Sequence, residues 1–515
     1  LSSFIFKNPN GLPPYAHQLR IYNQTCDLPY WAMFMEMGTG KSAVILWTWA
    51  HLFLDDMIDA AIVFAKKGEY DNWPEHLIPD HLPDEVAREV FTFDSDTFKQ
   101  KGAQARWDKF LNIREKHTLR ILVVNVEAVD GDTCWDSVHE FYERFDTRVF
   151  WVGDEATWLK NLTTLSTRGK ASKKNQRAKR MITLRDLTPY RRIMAGLPNP
   201  KGPLDVWGQT LMLTKEPVLG FDNYYAFRNY YGVLKKQYMG PNRPSFDKVV
   251  GYQRLDELQE RLKKFSSIIT LDECVDLPGK LYDKRAIPLT KEQRKLYDEM
   301  RDTAMVTLQG ALGKGAYVGE PGEEALIIEA HNVLSQFERL HQITCGQLKL
   351  GPDSYKSIPN NRLSTLGEIL EDHPDKAIVW AAYRQTGEDA FDHLTKIFGP
   401  GVVARYYGST DQEERRRVIR DFQEAELLRF IVASSAMAYS HTLTAGDLNI
   451  YYSNTFNLEH RIQSEFRTRR IGQKKVVRYI DFYAPGTIDE RIMDVLREKK
   501  VLSHAVLGTP LSKWI

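Results

Sequence analysis

Cysteine is scarce in this 515-residue chain: Cys26, Cys134, Cys274 and Cys345 stand far apart and form no C-x-x-C pair. That argues against a disulfide scaffold. It predicts buried thiols in a reducing compartment, with a disulfide or a zinc site as the lesser expectation. Net charge is nearly absent too, at +2. Whole-molecule charge therefore gives no argument for nucleic acid, and any basic surface must come from local clustering. Long apolar runs are missing. The longest, Ala43–Leu54, contains His51 and is too short to cross a bilayer. No signal peptide, internal repeat or low-complexity tract is visible, and the first residue is Leu1. No membrane role is expected.

What is present is ordinary globular composition, 43% hydrophobic and 27% charged, in a chain too long for one core. Apolar, β-rich runs alternate with longer amphipathic segments in two blocks. The first block offers Ala60–Phe64, Ile121–Val126, Val149–Val152 and Arg192–Ala195 as strands; the second offers Ala377–Ala381, Val402–Tyr407, Arg429–Ala433, Leu448–Tyr452 and Val476–Phe482. Strands separated by helical patterns imply crossovers and parallel sheets, so the expected fold class is α/β, with two lobes. We expect an N-terminal lobe over 1–275 and a C-terminal lobe over 276–515. Between the strand blocks the pattern turns helical, as in Asp222–Tyr238 and Leu255–Phe265. A helical insertion is expected over about 211–270 and a helical segment over about 290–345. The glycine-rich Ala311–Glu324 reads as a loop.

Glu36–Ser42 reads EMGTGKS, between the apolar stretch Tyr30–Met35 and the helical pattern Ala43–Leu54. Strand, glycine turn and helix N-terminus are what a phosphate loop needs. Gly38, Thr39 and Gly40 bring backbone N–H groups close to phosphate, Lys41 reaches the β- and γ-phosphates, and Ser42 ligates Mg²⁺. Met35 stands where the strict motif has its first glycine. In Val149–Asn161, VFWVGDEATWLKN, a strand delivers Asp154 and Glu155 to the carboxyl edge of the sheet. Asp154 would hold Mg²⁺, and Glu155 would orient or deprotonate the attacking water. The amide of Gln18, in LPPYAHQLRI, could read an adenine edge. Far downstream, Gln463–Gln473 reads QSEFRTRRIGQ. On a helix its Arg467 and Arg470 would share one face.

These residues, in this order, resemble the SWI/SNF-type group of superfamily 2 helicase-like ATPases over nearly the whole chain. Ile62–Glu75 resembles the family's strand, basic turn and Asn-Trp pair, and Trp158–Asn161 its Leu-Lys-Asn. Pro203–Trp207 and Leu277–Tyr297 resemble the segments leading to the second lobe. There, Lys376–Tyr383, Tyr407–Ser409, Glu414–Arg416, RIGQ and Gly486–Ile492 (GTIDERI) continue the pattern. The RIGQ and GTIDERI pair is the most specific part. The resemblance implies two RecA-like P-loop lobes with helical insertions between them. It also implies ATP and Mg²⁺ as cofactors, Arg467 and Arg470 as arginine fingers in cis, and movement on double-stranded DNA without sequence preference. Branched DNA and DNA-bound proteins are further candidate partners. A monomeric, cytoplasmic protein of bacterial or bacteriophage type is expected.

Three departures stand out: Ala195-Gly196-Leu197-Pro198 lacks the hydroxyls of the usual third motif, Met437–Leu443 (MAYSHTL) lacks the glycines of the fifth, and Phe466 replaces a glycine. These motifs couple ATP state to grip on nucleic acid. A strand-separating helicase, or a DNA-binding protein with weakened or lost coupling, therefore stays open as an alternative. Candidate backbone contacts are Lys66, Lys67, Lys160, Asn161, Lys173, Lys174, Arg384, Ser409, Ser434 and Ser435. Lys173 and Lys174 belong to Arg168–Arg180, a run of seven Lys or Arg with no acid. Trp73 and Trp158 read as packing residues, with base stacking as the alternative.

Overall fold

The computed structural model describes residues 4–67, 69–93, 98, 101–112, 117–145, 148–160, 176–237, 245–313, 335–351, 354–408, 410–438 and 442–509. Chain contacts divide it into two compact units. One is drawn from Leu1–Gly232, Tyr252–Asp276 and Leu502–Pro510, the other chiefly from Val233–Gly251 and Leu277–Val501.

The first unit is a parallel sheet between helices. Its strands include β1 (Tyr30–Met35), β2 (Ala60–Ala65), β3 (Arg88–Phe93), β4 (Leu119–Asn125), β5 (Val149–Gly153) and β6 (Tyr190–Met194). A two-stranded sheet, β7 (Gly232–Gln237) with β8 (Phe246–Tyr252), follows in the chain, and then β9 (Ser266–Ile269). The seven-stranded order is β3-β4-β2-β5-β6-β1-β9, and each recorded pairing is parallel. The central strands are apolar on both faces because helices cover both, which gives two cores, one on each side of the sheet. Helix α1 (Ala16–Thr25) and helix α2 (Lys41–Leu54) pack on one of them.

The second unit repeats the design. Strand β10 (Lys280–Ala286) precedes the antiparallel pair β11 (Gln347–Lys349) and β12 (Tyr355–Ser357). Strands β13 (Lys376–Trp380), β14 (Val403–Tyr406), β15 (Phe430–Ala433), β16 (Gly446–Tyr451) and β17 (Val477–Tyr483) then complete a six-stranded sheet, ordered β10-β17-β16-β13-β15-β14. Its two faces again carry separate cores. The expected α/β class with two parallel sheets is what the structure has.

The region read as helical needs correction. The expected helix over Asp222–Tyr238 stops at Tyr231, because Gly232 and Val233 open β7. The insertion expected over 211–270 thus contains β7, β8 and β9, as well as helices such as Leu255–Lys263. All four cysteines are free; Cys26, Cys134 and Cys345 are buried and Cys274 is half-buried. Among the described residues, no helix is long and apolar enough to cross a membrane.

Candidate nucleotide-binding site

The turn between β1 and α2 sets glycine at two positions whose backbone favours it. Gly38 and Gly40 have φ of 82° and 79°, in the left-handed region. A Cβ on Gly40 would also stand 1.9 Å from Nε2 of Gln18. The backbone is therefore bare where a phosphate would approach, at the N-terminus of the 14-residue α2. Lys41 opens that helix, and its Nζ donates to the carbonyls of Met35 at 2.8 Å and Glu36 at 3.3 Å. Burial pushes its ammonium below the usual lysine range, against the opposing pull of Glu155, Asp154, Glu69 and Glu36. Ser42 follows, half-buried, on the first turn of α2.

Helix α1 abuts this turn. Gln18 accepts a hydrogen bond from Tyr15 N at 2.9 Å and donates to Thr39 O at 3.4 Å. A primary amide keeps one further hydrogen and one further lone pair after those two bonds. His17, which sequence reasoning passed over, also reaches the loop: its Nε2 lies 2.7 Å from Thr39 O. Its place directly before Gln18 was the available signal.

Strand β5 ends at Gly153 and delivers Asp154 and Glu155 to the same sheet edge. Asp154 Oδ2 accepts from the indole Nε1 of Trp73 at 2.8 Å, and Oδ1 accepts from Glu155 N at 2.9 Å. Burial pushes the Asp154 carboxyl up; the Trp73 indole, Lys41, the Glu155 N–H and Lys66 oppose this. Trp73 is fully buried, so the packing reading holds for it, and it is also a polar partner of the acidic motif. Trp158 is half-buried and donates to Asp154 O at 3.1 Å. Glu155 is held in the left-handed region at φ 40°, a costly conformation for a side-chain-bearing residue. That strain turns its carboxylate toward the third motif, where Oε2 accepts from Gly196 N at 3.4 Å. A Cβ on Gly196 would touch both Met37 of the phosphate loop and Glu155. The loop, the acidic pair and the third motif thus converge.

The candidate nucleic-acid residues are more scattered. Lys66 is turned to the acidic motif, donating to Thr157 Oγ1 at 3.0 Å, whereas Lys67 is exposed. Lys160 is half-buried at the end of the turn Ala156–Leu159. Asn161, Lys173, Lys174 and Ser409 lie outside the described residues, as does the side chain of Ser435. At the end of the basic run, Arg177 pairs with Asp130, while Arg180 binds Val129 O, Gly131 O and Asp132. Arg180 also lies over the Trp135 ring, so this end of the run braces its own lobe. Arg384 (70% exposed) and Ser434 follow β13 and β15, neighbouring strands of the second sheet.

In the second unit, Arg467 lies in the helix Leu458–Thr468, which ends before Arg470. The shared helical face expected for the two arginines is therefore wrong. The chain leaves the helix at Arg469, turns through Gly472 at φ 101°, and returns Gln473 to cap the helix end. Nε2 of Gln473 donates to Thr468 O at 3.0 Å and lies within bonding distance of Thr444 O and Gly446 O. Burial pushes the Arg470 guanidinium below its ordinary range. The helix is held by Arg461, which is 3% exposed and binds Asp481, Glu465 and Asn454. Tyr282 of β10 donates to Glu465 Oε2 at 2.7 Å. The fifth motif joins here too, through Leu443 N donating to Arg467 O at 2.8 Å.

Comparison with known proteins gives matches to the chain or to parts of it. Residues 361–472 match the family described as helicase conserved C-terminal domain. YwqA of Bacillus subtilis (strain 168), a candidate ATP-dependent helicase/translocase, is 28% identical over 269 residues, which are 51% of this chain and 28% of that protein. The chromatin-remodelling ATPase INO80 of Mycosarcoma maydis is 35% identical over 106 residues, 20% of this chain and 6% of that one. The chain thus spans well under two thirds of these relatives. A solved Sulfolobus solfataricus SWI2/SNF2 ATPase core, in complex with dsDNA, aligns over 99% of this chain and 96% of its own at 19% identity and a TM-score of 0.39.

Proposed function

We infer that this chain, a SWI/SNF-type helicase-like protein of superfamily 2, hydrolyses ATP and couples hydrolysis to movement on, or remodelling of, double-stranded DNA. The observation that carries the reading is the convergence of Lys41, Asp154, Glu155 and Gly196 on one sheet edge, beside a glycine turn that a Cβ would fill.

The residues fit a Mg²⁺–nucleotide group. The half-buried Asp154 carboxylate, whose pKa desolvation pushes up, suits a cation, and a bare helix N-terminus suits an anion. Asp154 and Ser42 would hold the metal, which neutralises developing charge on the phosphates. Lys41 exchanges its two carbonyl acceptors for phosphate oxygens. Glu155, aimed by its strained backbone and the Gly196 N–H, takes a proton from the attacking water at its carboxylate. Gln18 offers its spare donor and acceptor to the base. By the family resemblance, Arg467 and Arg470 would act as the fingers that supply positive charge to the γ-phosphate. Exposed Lys67 and Arg384, with Lys160 and Ser434, would contribute to the grip on the DNA backbone.

The test is ATP turnover with duplex DNA, forks, single-stranded DNA and RNA. Duplex should stimulate most, and Lys41→Ala should abolish turnover. Stimulation by single strands or RNA alone would favour a strand-separating helicase. A chain that binds duplex without turnover would be a DNA-binding protein whose motor is lost.

A further inference from the structure

On α1 and α2, at the ends away from the glycine turn, three donors of different chemistry come together: Cys26, Asp27 and His51. Their ligand atoms all lie within 4.8 Å of one another. His51 Nε2 is 2.7 Å from Asp27 Oδ1, and Cys26 Sγ is 3.7 Å from Asp27 Oδ2. Tetrahedral zinc, with bonds of about 2.0–2.3 Å, needs donor separations of about 3.3–3.6 Å. Asp27 is 72% exposed, so its carboxylate can swing out by the small amount required.

Two further features suit a metal better than a simple ion pair. The other ring nitrogen of His51, Nδ1, faces Asp55 Oδ2 at 3.4 Å. A carboxylate behind a histidine is the usual device that fixes tautomer and ring orientation for ligation. The turn carrying the other two donors is also rigid before any ion arrives. Arg192, fully buried, donates through Nη2 to Thr25 O at 2.6 Å and Leu28 O at 2.9 Å. Cys26 and His51 are buried while Asp27 faces water, so an ion would arrive on the Asp27 side.

We propose that Cys26, Asp27 and His51 form a zinc site, with Asp55 as the support of His51. The set mixes one soft sulfur, one imidazole and one carboxylate, which suits zinc and not Mg²⁺ or Ca²⁺. Binding replaces the thiol proton of Cys26 by Zn²⁺ and releases that proton to solvent. The ion clips α1 to α2, the two helices whose other ends carry Gln18 and Lys41. This site is separate from the nucleotide chemistry.

Cobalt is the direct probe. The nucleotide-free full chain, titrated with Co²⁺, should bind about one equivalent with a thiolate-to-cobalt absorption band. Zn²⁺ should displace it and raise the melting temperature. Cys26→Ser should remove the band, and Asp27→Asn, at an exposed position that the fold tolerates, should weaken binding by about tenfold or more. A Co²⁺ spectrum without sulfur character, a band surviving Cys26→Ser, or no bound metal would each overturn the proposal and leave an ion pair.

Discussion

Replacing Trp73 by Phe should damage the nucleotide site without touching a proposed ligand. The indole N–H donates to Asp154 Oδ2 at 2.8 Å, and the ring stacks on Trp49 with centroids 5.7 Å apart. Phe keeps an aromatic ring there and deletes the donor. A hydrogen bond to an ionised acceptor contributes about 1.5–3 kcal/mol, or roughly 10- to 150-fold in an equilibrium constant. Loss of a partner behind a metal ligand typically costs about 10–100-fold. Trp73→Phe should therefore raise the Mg²⁺ concentration for half-maximal ATP turnover by at least about tenfold. The pH dependence follows with a definite sign. Burial already pushes Asp154 up, and Trp73 is the first force opposing it, so the variant's carboxyl rises further. The acid limb of turnover should therefore move to higher pH.

Stability carries the same signature. A carboxyl whose folded pKa stands above its unfolded value of about 3.9 favours the fold fully only below that value, and this contribution is lost as pH rises through the folded pKa. The nucleotide-free variant should thus show a larger stability deficit at neutral pH than in acid. Mg²⁺ titrations of turnover with denaturation curves at two pH values decide it. An unchanged Mg²⁺ requirement and acid limb would refute the assignment of Trp73 as the positioning partner of Asp154.

Gly40→Ala should weaken binding of a fluorescent ATP analogue by about tenfold or more, since φ of 79° strains alanine and its Cβ would push the Gln18 amide aside; binding within threefold of the parent would refute the cradle. Arg461→Ala strands the buried carboxylates of Asp481 and Glu465 and should cost about 3–5 kcal/mol of unfolding free energy, measured by denaturant melts. Less than about 1 kcal/mol would mean the network is unimportant. Gln473→Ala removes the donor shared by three carbonyls. It should cost about 1–3 kcal/mol and slow turnover while ATP-analogue binding stays intact. Arg467→Ala should lower turnover by about 10³-fold or more with binding retained; a smaller loss would remove it as a finger.

The phosphate loop and acidic pair were legible because each combines a local motif with a local strand signal. EMGTGKS lies between β1 and α2, and DEAT follows β5 directly. Strands with continuous apolar runs were placed within a residue or two, because burial on both faces leaves no other reading. Strands that escaped had other reasons for existing. β9, SSII, is four residues long and gains its place by lying beside β1. β10, KLYDKRA, is an edge strand with mostly exposed side chains, so it carries no apolar pattern. The run DNYYAFRNYYGVLKKQY looks helical throughout, yet Gly232 divides helix from strand. Arg470 was misplaced although Gly472 signalled the helix end. The contact of Trp73 with Asp154 spans 81 residues and exists only because their chain segments meet in space.

The altered third and fifth motifs join their sites through main-chain atoms. Gly196 N reaches Glu155, and Leu443 N reaches Arg467 O. Neither bond needs the hydroxyls missing from AGLP or the glycines missing from MAYSHTL. Met437, Ala438 and Leu443 are instead core residues, packed with Trp380, Tyr451 and Val477. An apolar anchor of this kind replaces conformational freedom with burial. A turn anchored in the core of its own sheet shifts only if that sheet's packing shifts with it, because packed cores deform poorly. The backbone bond from Leu443 N to Arg467 O is thus one link between the fifth motif and the helix that carries Arg467.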